Sequence, residues 1–484
     1  MMAISCWLLA DAGGALGSTY FVDTAQPDNT GDGQTWETTK RTIGAGIAAS
    51  AAGDTILVKY GTYVITTACN LTSDRKITSD DGNHTTWDGA AIDSSQCVID
   101  ADAQCRVFTL AGAAITRETQ VRGFGMTGGD ATYEGDPNYA YGGGIYISDG
   151  ASPIIERCWI TGNLAGAVRN GYGGGIACCG EGTDAEIRRC WISDNTACSG
   201  IRYGRGGGIY GNESAETEVY QNVITGNIGA PHRSGLGGGI CCSGAGTRIW
   251  ANTISSNHGN SEGSGGGGHG GGIYISGAVE AWQNLITGNV ANESYAQFGA
   301  GGGVYIDYSE GFLHHNEITN NIASRGHGGG GSLSGTGGGV CCEGGYVLIA
   351  KNLVAQNAAS TCEEPNRHAT GGGIKCAEGN HNTVRGNIVS ENAAARYCVG
   401  YGGGIYFNQS QTIERNVFWR NTASLDEVDE AGFGGGAYSY NASGSALRNN
   451  TFYRNANREV DLGGAGSGYC HASGGTPWSA TTSS

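Results

Sequence analysis

Nowhere between residues 126 and 462 does the sequence carry a long apolar stripe at the 3.6-residue helical period, which excludes a helical architecture for most of the chain. No run of 18 apolar residues occurs past the first few positions, so no membrane-spanning segment is expected. Charge is sparse, at 15% of residues, and positive charge is the scarcer kind: 27 Lys and Arg stand against 44 Asp and Glu, a net charge of −17. Such an acidic chain argues against a nucleic-acid partner and for solubility at a crowded surface. Paired Cys-x-x-Cys motifs are missing, which speaks against a structural zinc site. The aspartates and period of calcium-binding nonapeptide repeats are missing too. Neither a metal nor a cofactor is expected.

What the chain has instead is repetition. Three glycines followed by Ile, Val or Ala recur, with the apolar residue at Ile145, Ile176, Ile209, Ile240, Ile273, Val304, Val340, Ile374, Ile405 and Ala437, in steps of 31 to 36 residues. In phase with them runs Ile-x-x-Asn, whose asparagine returns at Asn163, Asn195, Asn227, Asn257, Asn289, Asn321, Asn357, Asn392, Asn421 and Asn455. A second column holds Phe124, Cys158 and Cys190, then Asn222, Asn252, Asn284, Asn316, Asn352, Asn387, Asn416 and Asn450. A fixed period of this length marks a solenoid. Gly-Gly-Gly-Ile-Tyr-Ile alternates as a short strand does, so each repeat reads as one coil of three short strands and a loop. Each strand then pairs with its equivalent one coil later, about 4.8 Å away. The expectation is an all-β, parallel β-helix with asparagine ladders at its turns.

The Gly-Gly-Gly-Ile/Val segments, together with Phe418-Trp419-Arg420-Asn421 and Phe452-Tyr453-Arg454-Asn455, resemble the repeats of polymorphic outer-membrane proteins, within the pectate-lyase-like β-helix superfamily. The resemblance covers roughly residues 120–460. It implies a single-stranded, right-handed winding, which periodicity alone does not. It says little about activity, because that superfamily holds lyases, hydrolases, adhesins and tailspikes. Nor is it expected to extend to anchoring, since nothing after residue 462 reads as a C-terminal β-barrel.

Four regions follow. Residues 1–18 read as the possible remnant of a secretory signal, apolar from Ala3 to Ala10 but without a basic start. Residues 19–125 read as an N-terminal cap and irregular first coils, with Ile43, Ile47 and Ala51 at helical spacing between Trp36 and Ala52. A helix laid there would cover the open sheet end as a capping helix. Residues 126–462 are the regular repeats, and 463–484 read as a flexible tail. Export places the protein outside the cell or on its surface.

Cysteine is abundant, at 17. Cys178, Cys242, Cys342 and Cys376 fall at inward positions, where small apolar residues belong. Equivalent Cα atoms in stacked coils lie within disulfide reach, so Cys158–Cys190 and Cys342–Cys376 are possible crosslinks, with free thiols as the rival. Cys362–Cys398 joins neighbouring loops as a third candidate.

The signs of catalysis are thin. Gly268-His269-Gly270, Gly326-His327-Gly328 and Asp80-Asp81 echo polygalacturonase-like motifs, but the order is wrong and Asn-Thr-Asp and Arg-Ile-Lys are missing. The acidic run Asp426, Glu427, Asp429 and Glu430 reads as a solvated loop rather than a calcium site. More specific are the loops 164–172, 196–205 and 228–236, which contain no acid and carry Arg169, Arg202, Tyr203, Arg205, His232 and Arg233. Arginine pairs bidentately with carboxylate or sulfate, and tyrosine presents a flat face to a sugar. Tyr146, Tyr210, Tyr274, Tyr305, Tyr406 and Tyr438 point outward by alternation, either stacking on one another or forming a carbohydrate platform. The reading leans away from an enzyme, towards a rod that displays loops for adhesion or glycan recognition, its partner an acidic polysaccharide or another cell-surface component. The alternatives are a lyase or hydrolase acting on an acidic polysaccharide, and a fibre-forming subunit.

Overall fold

The computed structural model describes residues 17–479 apart from 81–93, 213, 263–265, 294–298, 326–332, 363–366, 378–380, 426–431, 459–467 and 474–475. It is a right-handed parallel β-solenoid. One coil shows the plan. Ile145–Ser148 and Ile154–Glu156 lie in a first sheet, Trp159–Thr161 in a second, Leu164–Gly166 in a third and Asn170–Tyr172 in a fourth. The next coil then starts at Ile176, paired in parallel with Ile145. Among the described residues the four sheets hold 26, 13, 10 and 9 strands.

The fourth sheet is a departure from the expected three strands and a loop. Its members are as short as Gly204–Arg205 and Gly235–Leu236, too brief and too glycine-rich to show a pattern of their own. They are strands because the coils above and below present a matching row of N–H and C=O groups.

Inside, Ile145, Ile147, Ile155 and Ile160 are fully buried and belong to one core that runs the length of the rod. The glycine triplets are required at the entry to the first sheet. Gly142 has φ +59, and a Cβ on it would meet Ile145 O at 2.2 Å. On Gly143 and Gly144 a Cβ would run into the backbone of neighbouring strands, at 2.3 Å from Leu164 O and 2.6 Å from Gly175 O.

The asparagine columns form as expected. Asn227 donates from Nδ2 to Asn257 Oδ1 at 3.0 Å and to Ile192 O at 2.9 Å, and its backbone amide donates to Asn257 Oδ1 at 3.0 Å. Asn222 makes the same set with Asn252 and Ile187. The residue before this second column turns the corner with a left-handed backbone, as at Gln221, Ala251 and Gln283, with φ of 57, 55 and 54. That conformation costs about 1–2 kcal/mol for a residue with a Cβ, and the buried amide beside it supplies compensating bonds.

At the N-terminal end the helix is shorter than its spacing suggests, spanning only Ile43–Ala49. Thr42 caps it by accepting from Ala45 N at 3.3 Å, and the chain before it is held in turns, with Lys40 N bonded to Phe21 O. Ile43 is buried in the core beside Val22 and Ile56, so the helix covers the first rung as a minor cap. At the other end Tyr469–Ser473, within the stretch read as a tail, pairs with Ala437–Tyr440 and continues the first sheet.

Of the cysteines named as possible crosslinks, Cys158, Cys190, Cys342 and Cys376 are buried thiols in stacked coils, and Cys362 and Cys398 are buried in their loops. Cys158 and Cys190 stack in register, the Cys158 amide donating to Cys190 Sγ at 3.5 Å. Cys158 Sγ donates to Glu156 O at 3.3 Å, and Cys190 Sγ to Arg188 O at 3.3 Å, so both thiols act as rungs of the polar column.

Asn289→Ala would orphan acceptors and donors in three coils. It is expected to lower stability by about 2–4 kcal/mol. Asn320→Gly, at an exposed turn of φ 57, is expected to stay within about 1 kcal/mol of the parent. Chemical denaturation of both variants checks the contrast.

Candidate functional site

The acid-free loops fall where the third sheet passes to the fourth, so successive coils bring their turns side by side. Arg233 lies 4.7 Å above the Tyr203 ring and donates from Nη2 to Tyr203 Oη at 3.1 Å. One coil earlier Arg169 donates to Asp136 O at 2.6 Å and sits 6.0 Å over Tyr133. Arg202 and His232 are exposed, and neither side chain has a hydrogen-bond or ion-pair partner among the described residues. The surface is also unusually apolar for a loop face: Tyr133 is 79% exposed and Ile201 76%. Of the nearby acids, Glu134 is bound to Arg106 at 2.8 Å. Four of the six residues, Arg202, Tyr203, His232 and Arg233, are exposed on neighbouring turns, and Arg169 lies half-buried one coil earlier.

Arg205 does not join them. It lies within the fourth-sheet strand and turns to the concave corner between the fourth and first sheets, 5.8 Å over the Tyr172 ring. That corner also takes the outward tyrosines. Tyr210, Tyr274, Tyr305 and Tyr438 are only 6–8% exposed, and Tyr210, Tyr274 and Tyr305 share a second apolar cluster with Cys241 and Cys341. Tyr274 stacks on Tyr305 at 5.4 Å and Tyr406 on Tyr438 at 5.7 Å. Their faces are spent on one another, so they form no platform for sugars.

Polar groups that sequence reasoning passed over meet in the same corner. Tyr274 Oη donates to Asp307 Oδ2 at 2.5 Å, and Lys375 Nζ reaches Glu343 Oε1 at 2.5 Å. Cys341 Sγ lies 3.5 Å from Glu343 Oε1. The signal was present: all occupy outward positions of first-sheet strands, where other coils carry Ser, Cys or Tyr. His269, from the Gly-His-Gly motif, packs edge-on against Tyr305 at 4.8 Å. Solvent still touches one edge of this ring, but protein atoms enclose the rest, and that loss of hydration pushes its pKa down to about 4. Gly326-His327-Gly328 and the run from Asp426 to Glu430 lie outside the described residues, as does Asp81. No three His, Cys, Asp or Glu side chains converge as a metal site among the described residues.

A winding of this kind defines a class, the right-handed β-helix. Residues 51–258 and 238–469 each match the family model described as "Right handed beta helix region", and the chain belongs to that family. No curated protein matches it. Among solved structures, it is similar to the Dettilon tailspike protein, at 16% identity and a TM-score of 0.40 over 87% of this chain and 68% of the other. It is similar to the A-module of a mannuronan C-5 epimerase from Azotobacter vinelandii, at 14% identity and 0.35 over 86% and 94%. A lidless DFA-IIIase from Arthrobacter chlorophenolicus A6 gives 11% identity and 0.33 over 90% and 95%.

Because His269 is held neutral in the fold, the unfolded chain binds the extra proton between its ordinary pKa of 6.5 and about 4. Stability is expected to fall as pH drops through that window, by on the order of 2 kcal/mol from this residue. Burial lowers the pKa of His258 as well, so His269→Gln should flatten the acid limb of a stability-against-pH curve only in part. An unchanged limb would show that the ring is already hydrated.

Proposed function

We propose that this protein is a secreted or surface-displayed β-helix rod that binds an acidic polysaccharide through its loop patch and does not cleave it. One observation carries the reading: Arg202 and the Tyr203–Arg233 pair stand exposed on neighbouring coils of a chain of net charge −17, with no acid in their own loops. Guanidinium groups recognise carboxylate or sulfate in a planar, two-point fashion. The tyrosine ring, stiffened by the arginine above it, offers a flat face at low entropic cost. The corner favours binding over catalysis, since Asp307 and Glu343 are engaged with Tyr274 and Lys375 and the rings around them are buried.

Arg202→Ala with Arg233→Ala is expected to lower retention on immobilised polygalacturonate about tenfold, with less difference at high salt, and to leave thermal unfolding within about 0.5 kcal/mol of the parent. Equal retention by variant and parent would remove the patch from the binding surface. In the same incubation no new reducing ends and no absorbance from 4,5-unsaturated products are expected; either signal would make the protein an enzyme.

A further inference from the structure

The outer face of the first sheet carries a groove, and its cause lies in the lengths of the repeats. Within each coil the first sheet bends between two inward residues that are both in register with the next coil. Val219 follows Ile209 by ten positions, Ile249 follows Ile240 by nine and Ala281 follows Ile273 by eight. Leu313 and Ile349 again follow Val304 and Val340 by nine. With both ends of every bend pinned, the shortest one is recessed between its neighbours. Gly246, Ala278 and Gly311 line the recess. On Gly246, with φ +88, a Cβ would come within 3.1 Å of the Glu216 carboxyl carbon, and on Gly311 one would meet Val279 O at 2.8 Å. The floor is therefore close to bare backbone. The groove holds about 620 Å³ and is lined from Glu216 to Tyr346, one coil after another. Those five coils, spaced about 4.8 Å apart, give it a length of roughly 19 Å.

Its walls are aromatic and acidic. Phe312 is 54% exposed and Tyr346 57%. Phe312 stands in an outward column that holds Glu218, Arg248 and Glu280 in the coils before it and Thr383 two coils later. A phenyl ring left in solvent at such a position stabilises nothing in the rod, but beside a concave floor it offers a face to a ligand. The charged residues divide in two. Arg248 is paired with Glu218 at 3.0 Å, and Glu280 with His314 at 3.0 Å. Glu216 and Glu310 are exposed, and neither carboxylate has a hydrogen-bond or ion-pair partner among the described residues. Free carboxylates next to open aromatic faces attract a cation twice over, by charge and by the ring quadrupole. They repel an acidic polysaccharide. An extended peptide would find no ladder to join, because the strands around the groove are already paired on both sides. A sugar needs none, since its ring has an apolar face of its own.

We infer that this groove binds a glycan bearing free amino groups, with sugar rings on Phe312 and Tyr346 and ammonium groups on Glu216 and Glu310. The inference does not rest on the loop patch, which lies between other sheets and has the opposite charge. If both sites are occupied, one rod holds an acidic and a basic glycan at once.

The test titrates the full chain by calorimetry with a glucosamine hexamer, its fully N-acetylated counterpart and oligolysine. The parent is expected to bind the glucosamine hexamer, and to bind the acetylated one more weakly. Phe312→Thr with Tyr346→Thr places β-formers at exposed strand positions and changes no charge; Thr383 already occupies the Phe312 column. That variant is expected to lose about tenfold in affinity and to unfold at the parent's temperature. Glu216→Gln with Glu310→Gln should lose about fivefold at low salt and less at high salt. Arg202→Ala with Arg233→Ala should bind the hexamer as the parent does, whether or not it still binds polygalacturonate. General attraction to a chain of net charge −17 would survive the aromatic substitutions, so unchanged affinity in that variant would overturn the inference. A parent that ignores the glucosamine hexamer, or binds the acetylated one equally well, would overturn it too. Tighter binding of oligolysine, lost in the same variants, would replace the glycan with a basic peptide.

Discussion

A buried amide in either asparagine column has one arrangement that satisfies it, and that arrangement ties three coils together. Asn227 accepts from Asn195 behind it, donates to Asn257 ahead and donates again to Ile192 O of the preceding coil. Leaving one such group unpaired in the interior costs about 1–3 kcal/mol. A slip of register would orphan the columns along their whole length. Apolar packing drives the rod together, but Ile, Val and Leu tolerate sliding past one another, so the amides set which rung sits on which.

Fixed register is what turns a repeat into a surface. Because every coil starts at the same place, a residue type at one repeat position becomes a column, and a departure from the consensus becomes a local patch. The tyrosines along the inner corner bury one another, and the Tyr220–Trp250–Trp282 ladder stacks at 4.3 and 5.0 Å. Function is therefore to be sought where a column changes character, as at the arginines of the loops.

The coil count, the inward isoleucines and both asparagine columns were legible in the sequence because they recur in phase. The fourth sheet was not, since Gly204–Arg205 is a strand only by virtue of its neighbours. Alternation told that Tyr274 and Tyr305 leave the central core. It could not tell that two sheets meet at a concave corner which buries them again. The same corner claimed Arg205, whose loop composition matched that of its exposed companions. Cα spacing placed Cys158 and Cys190 on neighbouring rungs, but it did not tell that each thiol also meets a main-chain carbonyl.

The asparagine ladder has a direction. From Asn163 to Asn421 each side-chain N–H₂ donates to the side-chain carbonyl of the next asparagine, and no asparagine of the column donates to the side chain behind it. Amide dipoles so aligned polarise one another and add along the axis. The first ladder oxygen, that of Asn163, is met by Gly129 N at 2.9 Å. The rod is thus electrically unsymmetric from end to end, in the manner of a helix but built from side chains, and its two ends cannot be exchanged.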